Sequence, residues 1–356
     1  MNILFSFECS WMPIRAKTLI NFLKKRGHVI DILTTADTFD GKADIRFNAN
    51  YKNINEVNLE IYDLWIHDLL NYEKISEKSD FNYYINKFKN KFGIVNYDDG
   101  CEFFDYRLEN LSKVDIWVNN ILYRNRKKYN NYIANKCMLV PSYIEDSNSH
   151  NKILEKNKSF VPFSNKKDRV YFTGTLTGGF PCYEHRSNII SEVDKLEIEK
   201  LIRVHGSENH VVLKWFYDHI ISTQYKKEMV NYDAFINEIN NSKFVLCLKG
   251  NGTDPTRRYF ESLSFNCLSF VTENNYTEHL IECEGNKHYI NIKLDASDIN
   301  SKIEYYNNNT HEAKRIADAG YNFWNENYRI FEDGSLSIHM ENYIIDNFNK
   351  IASIKL

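Results

Sequence analysis

The sequence predicts an α/β protein made of two doubly wound, Rossmann-like domains facing a cleft. Three observations carry this. Short apolar runs alternate with stretches of helical period along most of the chain. The alternation lapses once, in the polar stretch from Glu145 to Lys167, and then resumes. The 356 residues, 43% of them hydrophobic, suffice for two cores.

The elements follow in order. "NILFSF" reads as a strand, "PIRAKTLINFLKKRG" as an amphipathic helix stopped by Gly27, and "HVIDILT" as the next strand. A strand, a helix and a strand in that order build a parallel sheet, because parallel strands need a crossover. "IYDLWIHDL" is a further strand, "SDFNYYINKFKNKFG" a helix, and "IVNYDDG" a strand ending in an acidic turn. "DIWVNN", a polar Tyr/Asn-rich helix and "CMLVPS" complete a first domain over 1–150. After the polar linker come "RVYFTG", "LIRVHG", "KFVLCLKG" and "CLSFVTE" as strands, with "EHRSNIISEVDKLEI", "YDAFINEINNS" and "PTRRYFESLSFN" as helices. Two helical stretches, around Ile303–Tyr306 and Glu312–Asn325, end a second domain over 151–330. The last amphipathic stretch, within 331–356, is expected to pack back on the first domain.

Composition excludes several classes. A net charge of −3 leaves no basic excess to neutralise nucleic-acid phosphates. No apolar run is long enough to span a bilayer, and Glu8 and Arg15 interrupt what would be a signal peptide. Seven cysteines without a CxxC pair fit reduced thiols and a cytoplasmic location. Neither HExxH nor GxSxG occurs, and the sequence has no convincing DxD, so no metal ligand is assigned.

In such folds ligands bind beyond the carboxyl ends of the strands, which directs attention to "KGNGTDPTRRYFESL", Lys249 to Leu263. Asp254 and Pro255 read as N-cap and first residue of a helix. Arg257 and Arg258 then fall in its first turn, where the dipole disfavours cations by roughly 0.3–1 kcal/mol each. A bound diphosphate would reverse that sign. Lys249, Gly250, Asn251, Gly252 and Thr253 would let the backbone approach it, the arginines would supply forked donors, and Glu261, one turn on, would accept from ribose hydroxyls. The alternative is a plain surface ion pair between Arg257 and Glu261, worth about 0.5 kcal/mol.

Beyond these spacings, "NNSKFVLCLKGNGTDPTRRYFESLSFNCLSFVTEN" resembles the donor-binding segment of exostosin-like and protein-O-glucosyltransferase-like glycosyltransferases. "VYFTGTLTGGFPCYEHRSNII" is similar to the strand–Gly–Arg–helix segment of those families, matching Gly174 and Arg186. One departure is the turn "FNC", where those families show Gly. The resemblance covers roughly the second half of the chain. It implies a glycosyltransferase-B fold with a nucleotide-sugar donor on the carboxyl-terminal domain, the diphosphate on Arg257 or Arg258 and the ribose on Glu261. It further implies a glycan or lipid-linked glycan acceptor, as in bacterial surface polysaccharide synthesis, with peripheral contact to the inner face of the membrane. A metal is not required where loop, helix and arginines carry the leaving group.

Candidates for the chemistry are Arg186, opening its own helix, for the leaving diphosphate, and Asp99 or Glu8 as the acceptor-side base. Asp99-Gly100 is equally a turn signal, and His205, ending a strand, reads as an ordinary polar histidine. Two other readings stay open: another group transferase on this architecture, and a nucleotide-binding protein without turnover.

Overall fold

The structure is a computed structural model that describes residues 1–7, 12–34, 50–53, 57–68, 92–95, 116–119, 122–123, 137–139, 147–176, 182–205, 211–250, 256–273, 277–278, 283–331, 333 and 335–351. The chain forms two compact units. The first comprises Met1–His150, Tyr276–Leu280 and Ile330–Leu356; the second comprises Asn151–Asn275 and Ile281–Arg329.

The first unit carries a parallel sheet of order β3-β2-β1-β4-β5-β6-β8. Its strands are β1 (Asn2–Phe7), β2 (Val29–Thr34), β3 (Asn50–Asn53), β4 (Leu64–Asp68), β5 (Phe92–Val95), β6 (Ile116–Asn119) and β8 (Cys137–Leu139). Helix α1 (Met12–Lys25) buries Leu19, Ile20 and Leu23 and packs on β2. Its end is set by Gly27, at φ +83°: Gly27 N donates to Lys24 O and His28 N to Leu23 O, closing a Schellman motif that only a left-handed residue permits. The Tyr62 hydroxyl donates to the buried Asp31 carboxylate at 2.6 Å. A short antiparallel ribbon pairs β7 (Leu122–Tyr123) with β13 (Thr277–Glu278). The expected helix "SDFNYYINKFKNKFG", the acidic turn after β5 and most of the Tyr/Asn-rich helix lie outside the described residues.

The second unit holds a parallel sheet of order β10-β9-β11-β12-β14. The strands are β9 (Lys167–Thr175), β10 (Glu199–His205), β11 (Ser242–Cys247), β12 (Leu268–Thr272) and β14 (Ile290–Ile292). Every residue of β11 and β12 is buried, as central strands covered on both faces must be. One core cluster joins Val170, Phe172, Val204, Phe244, Leu246 and Phe270 to Ile189, Ile190 and Val193 of α3 (Cys182–Asp194). It also takes in Ile299 and Ile303 of α7 (Ile299–Asn308) and Ile316 of α8 (Thr310–Asn327). Helices α5 (Tyr232–Asn240) and α6 (Arg257–Ser264) supply further buried apolar side chains, among them Ile236, Ile239 and Leu263.

Three readings from sequence are corrected. The polar stretch Glu145–Lys167 is not an open linker: it contains α2 (Ser147–Asn157), which buries Ile153 and Leu154, and the division between the units falls within this helix. Two apolar anchors on a background of Asn, Lys and Glu are too sparse to show a helical period. The chain from Val211 to His219 forms α4, and the polar "NYKN" forms the edge strand β3; neither was expected. Helix α6 begins at Arg257 with Thr256 at the N-cap, two residues later than Asp254-Pro255 implied. The carboxyl-terminal helix α9 (Ile338–Ile351) belongs to the first unit.

Candidate functional site

In the second sheet, strand order reverses between β9 and β11: the chain leaves β9 for β10 on one side and leaves β11 for β12 on the other. The carboxyl ends of β9 and β11 therefore flank the topological switch point, where this class of sheet opens a crevice. Thr175 ends β9, and Lys249 and Gly250 follow β11.

Arg186, 8% exposed, spans the two exits. Its Nε donates to Lys249 O at 2.7 Å and its Nη1 to Thr175 O at 2.6 Å. The sequence offered Arg186 as a direct contact for a leaving diphosphate; in the structure these two bonds fix the separation of the loops. Its neighbour His185 is also buried. His185 Nε2 lies 2.8 Å from Thr272 Oγ1, and the same oxygen accepts the Lys249 backbone N–H at 3.1 Å.

Arg258 lies over the end of β9. Its Nη2 donates to Thr173 O, and its guanidinium sits 4.7 Å from the Phe172 ring centre. This explains Gly174 physically: a Cβ there would stand 3.0 Å from Arg258 Nη2 and 3.2 Å from Phe172 Cζ. The glycine leaves room for a guanidinium, and the requirement is one of space, not of φ.

Arg257 turns back along its own helix. Its Nε donates to Glu261 Oε1 at 3.0 Å, and its guanidinium stacks 5.3 Å from the Tyr232 ring centre. The Tyr232 hydroxyl donates to the same Oε1 at 2.8 Å. Burial, and next the Glu261 charge, raise the Tyr232 pKa, so the phenol stays a donor. Glu261 is 3% exposed, yet both protein bonds fall on Oε1. The two arginines at the amino end of α6 are thus compensated locally, by a carboxylate and by a backbone carbonyl. Thr256, the N-cap of α6, makes no side-chain capping bond, and its carbonyl accepts the Tyr259 N–H at 2.9 Å.

His205 ends β10 and is 8% exposed, with Nδ1 on Lys227 O at 2.8 Å and no partner for Nε2 among the described residues. Cys247 and Cys267 are fully buried thiols pushed up to about 12 and about 11, so they stay protonated at neutral pH. The turn "FNC" is resolved by conformation: Asn266 has φ +56°, the left-handed region, and Asn tolerates it better than most residues other than Gly. Asn266 Nδ2 donates to Asp318 Oδ1 at 2.9 Å, which holds the turn against α8.

Of the candidates read from sequence, Gly174, Arg186, Lys249 and Arg258 come together at the switch point through the contacts above, and Arg257 and Glu261 pair on α6. Gly250 follows Lys249 and is buried. Glu8, Asp99, Asn251, Gly252 and Thr253 lie outside the described residues. His185, Thr272 and Tyr232 were not singled out from sequence. Their partners lie 87, 23 and 29 positions away, so no local spacing announces them.

Comparison with known proteins follows the same segment. Residues 186–330 match the family model described as "Glycosyl transferase-like". No curated protein matches the chain. Among solved structures, a glycosyltransferase from Rickettsia africae ESF-5 is similar at a TM-score of 0.59 and 13% identity, over 98% of each chain. Anabaena Alr3699/HepE, solved in complex with UDP-glucose, gives 0.58 and 12%, over 99% of this chain and 100% of that one. The UDP-GlcNAc 2-epimerase of Neisseria meningitidis, solved bound to UDP-GlcNAc, gives 0.50 and 12%, over 98% and 100%. The fold is of the glycosyltransferase-B type. At these identities the likeness concerns the fold alone. Among the described residues, no helix is long and apolar enough to cross a membrane.

Proposed function

We propose that the chain is a glycosyltransferase whose second unit binds a nucleoside-diphosphate sugar. The observation that carries this reading is the pairing at the switch point: two strand exits tied by Arg186, beside a helix amino end whose N-cap Thr256 makes no side-chain capping bond, with a buried carboxylate one turn in. The first-turn N–H groups of α6 favour an anion. Arg257, whose side chain is 36% exposed, is the better placed of the two arginines to swing onto a phosphate; Arg258 is committed to Thr173 O and the Phe172 ring. Glu261 Oε2 accepts from a ribose hydroxyl, while Oε1 keeps its two protein donors.

Loss of the leaving diphosphate is then assisted by charge already in place, which lowers the barrier without reorganisation. Arg186 acts here by holding Thr175 and Lys249. The acceptor base is assigned to Asp99 or Glu8, and the acceptor to a glycan or lipid-linked glycan used at a membrane surface. UDP heads the nucleotides to test, because HepE was solved with UDP-glucose.

The test is calorimetric titration with UDP, GDP, ADP, CDP and dTDP, followed by incubation with the matching nucleotide sugars and mass analysis of products. Binding of one nucleotide with slow hydrolysis or transfer of its sugar is expected. A chain that binds none of the five sinks the proposal. Transfer of a group other than a sugar would redirect it to another transferase on this fold, and binding without any turnover to a nucleotide-binding protein.

A further inference from the structure

The structure assigns to His185 and Thr272 the role of positioning residues that aim the Lys249–Gly250 exit at the donor diphosphate; this rests on the nucleotide-binding reading above. Lys249 lies past Cys247, where the β11 ladder ends. Side chains take over. The Lys249 N–H donates to Thr272 Oγ1 at 3.1 Å, and its carbonyl accepts from Arg186 Nε at 2.7 Å. The peptide is thus gripped on both sides, by the end of β12 and by the first turns of α3.

The grip has a defined polarity. His185 Nδ1 lies 2.7 Å from Leu294 O, and a carbonyl only accepts, so Nδ1 carries the proton. The neutral ring then offers the Nε2 lone pair to the Thr272 hydroxyl at 2.8 Å, and that hydroxyl turns its oxygen to the Lys249 N–H. Each group is satisfied once and in one direction: Lys249 N–H to Thr272 O–H to His185, and His185 N–H to Leu294 O. Thr272 is 1% exposed and His185 4%, so water cannot replace a lost member. Four segments meet in this chain of bonds: the starts of α3, of the β11 exit and of the stretch after β14, and the end of β12. The fold is already secured by the apolar cluster below; what these bonds add is the direction in which the backbone leaves β11 toward the helix that would meet the phosphates.

The experiment uses the full chain and the nucleoside diphosphate that wild type binds most tightly. Thr272→Val keeps shape and removes the relay; Thr272→Ser restores the hydroxyl. Tyr225→Phe is the comparison, because it deletes another hydrogen bond from a buried tyrosine, to Asp194 at the far end of α3, nine residues from His185. Binding by T272V is expected to weaken about tenfold, the worth of one well-aimed hydrogen bond. T272S should bind within about twofold of wild type, and Y225F should lower Tm without changing Kd. His185→Gln, read the same way, replaces T272V should that variant not fold. Wild-type affinity in T272V, or an equal loss in Y225F, overturns the positioning role while leaving the function standing. A wild-type chain that binds no nucleoside diphosphate overturns both.

Discussion

Glu261→Gln and Glu261→Ala separate what the buried carboxylate does for the fold from what it does for a ligand. Oε1 accepts from Tyr232 at 2.8 Å and from Arg257 at 3.0 Å. Glutamine keeps an oxygen there but removes the charge that makes such bonds roughly twice as strong as neutral ones. The loss is about 1–2 kcal/mol, discounted on the Arg257 side because that guanidinium reaches water. Alanine also strands the half-buried Tyr232 hydroxyl, adding about 1 kcal/mol. With about 2–4 °C per kcal/mol for a unit of this size, E261Q should lower the melting temperature of the second unit by a few degrees and E261A by clearly more. For the ligand, both variants lose the charged acceptor at Oε2. A hydrogen bond to a charged group is worth about 1.5–3 kcal/mol, so nucleotide affinity should fall about ten- to hundredfold in each. Differential scanning calorimetry reads the first effect and isothermal titration the second. If E261Q binds nucleotide as wild type does, the ribose role is wrong. If E261A melts with wild type, the Tyr232 argument is wrong.

Other outcomes are equally specific. Gly320→Ala places a Cβ 2.5 Å from His288 O and 2.7 Å from Leu263 Cδ2; the backbone carbonyl cannot yield, so α8 must shift, and we expect a loss of about 1–3 kcal/mol despite the gain in helix propensity. A stabilised G320A in urea denaturation would refute the close approach. Tyr62→Phe removes the donor at 2.6 Å from buried Asp31 and should cost the first unit about 2 kcal/mol, with the second unit unaffected; loss of both units together in pulse proteolysis would contradict two separate cores. Burial lowers the pKa of His28, His185 and His288, with Arg186 and Lys249 adding to the effect at His185. The unfolded chain therefore takes up these protons first, near pH 6.5. The stability these groups contribute is complete above that and is lost as pH falls below it toward the folded values. Melting temperature should drop between pH 7.5 and 5.5, and His185→Gln should flatten the slope; an unchanged slope would mean that His185 is protonated as easily in the folded chain.

Legibility followed the range of the interactions. The strands β1, β2, β9, β11 and β12 and the helices α1, α3, α5 and α8 were readable because each buries a periodic apolar set within one short window. Helix α2 was missed because only Ile153 and Leu154 anchor it, and β3 because an edge strand needs no apolar run. At the site, Lys249, Arg257, Arg258 and Glu261 were nameable from type and spacing near a strand end, and Gly174 and Arg186 from the resemblance to glycosyltransferase segments. Apart from the Arg257–Glu261 pair, four residues apart on one helix, their partners were not, since a hydrogen bond such as that from Arg258 to Thr173 crosses 85 positions.

The amino-acid order alone determined the alternating α/β class, the two cores and the segment from Lys249 to Leu263 as the place to look, because periodicity, glycine and charge are local properties. Only the tertiary structure decided how two of the arginines are used: Arg258 on a carbonyl over a glycine, and Arg186 across two loops. Those partners come from different strands and helices, and they meet only when the sheet brings β9, β11 and β12 side by side.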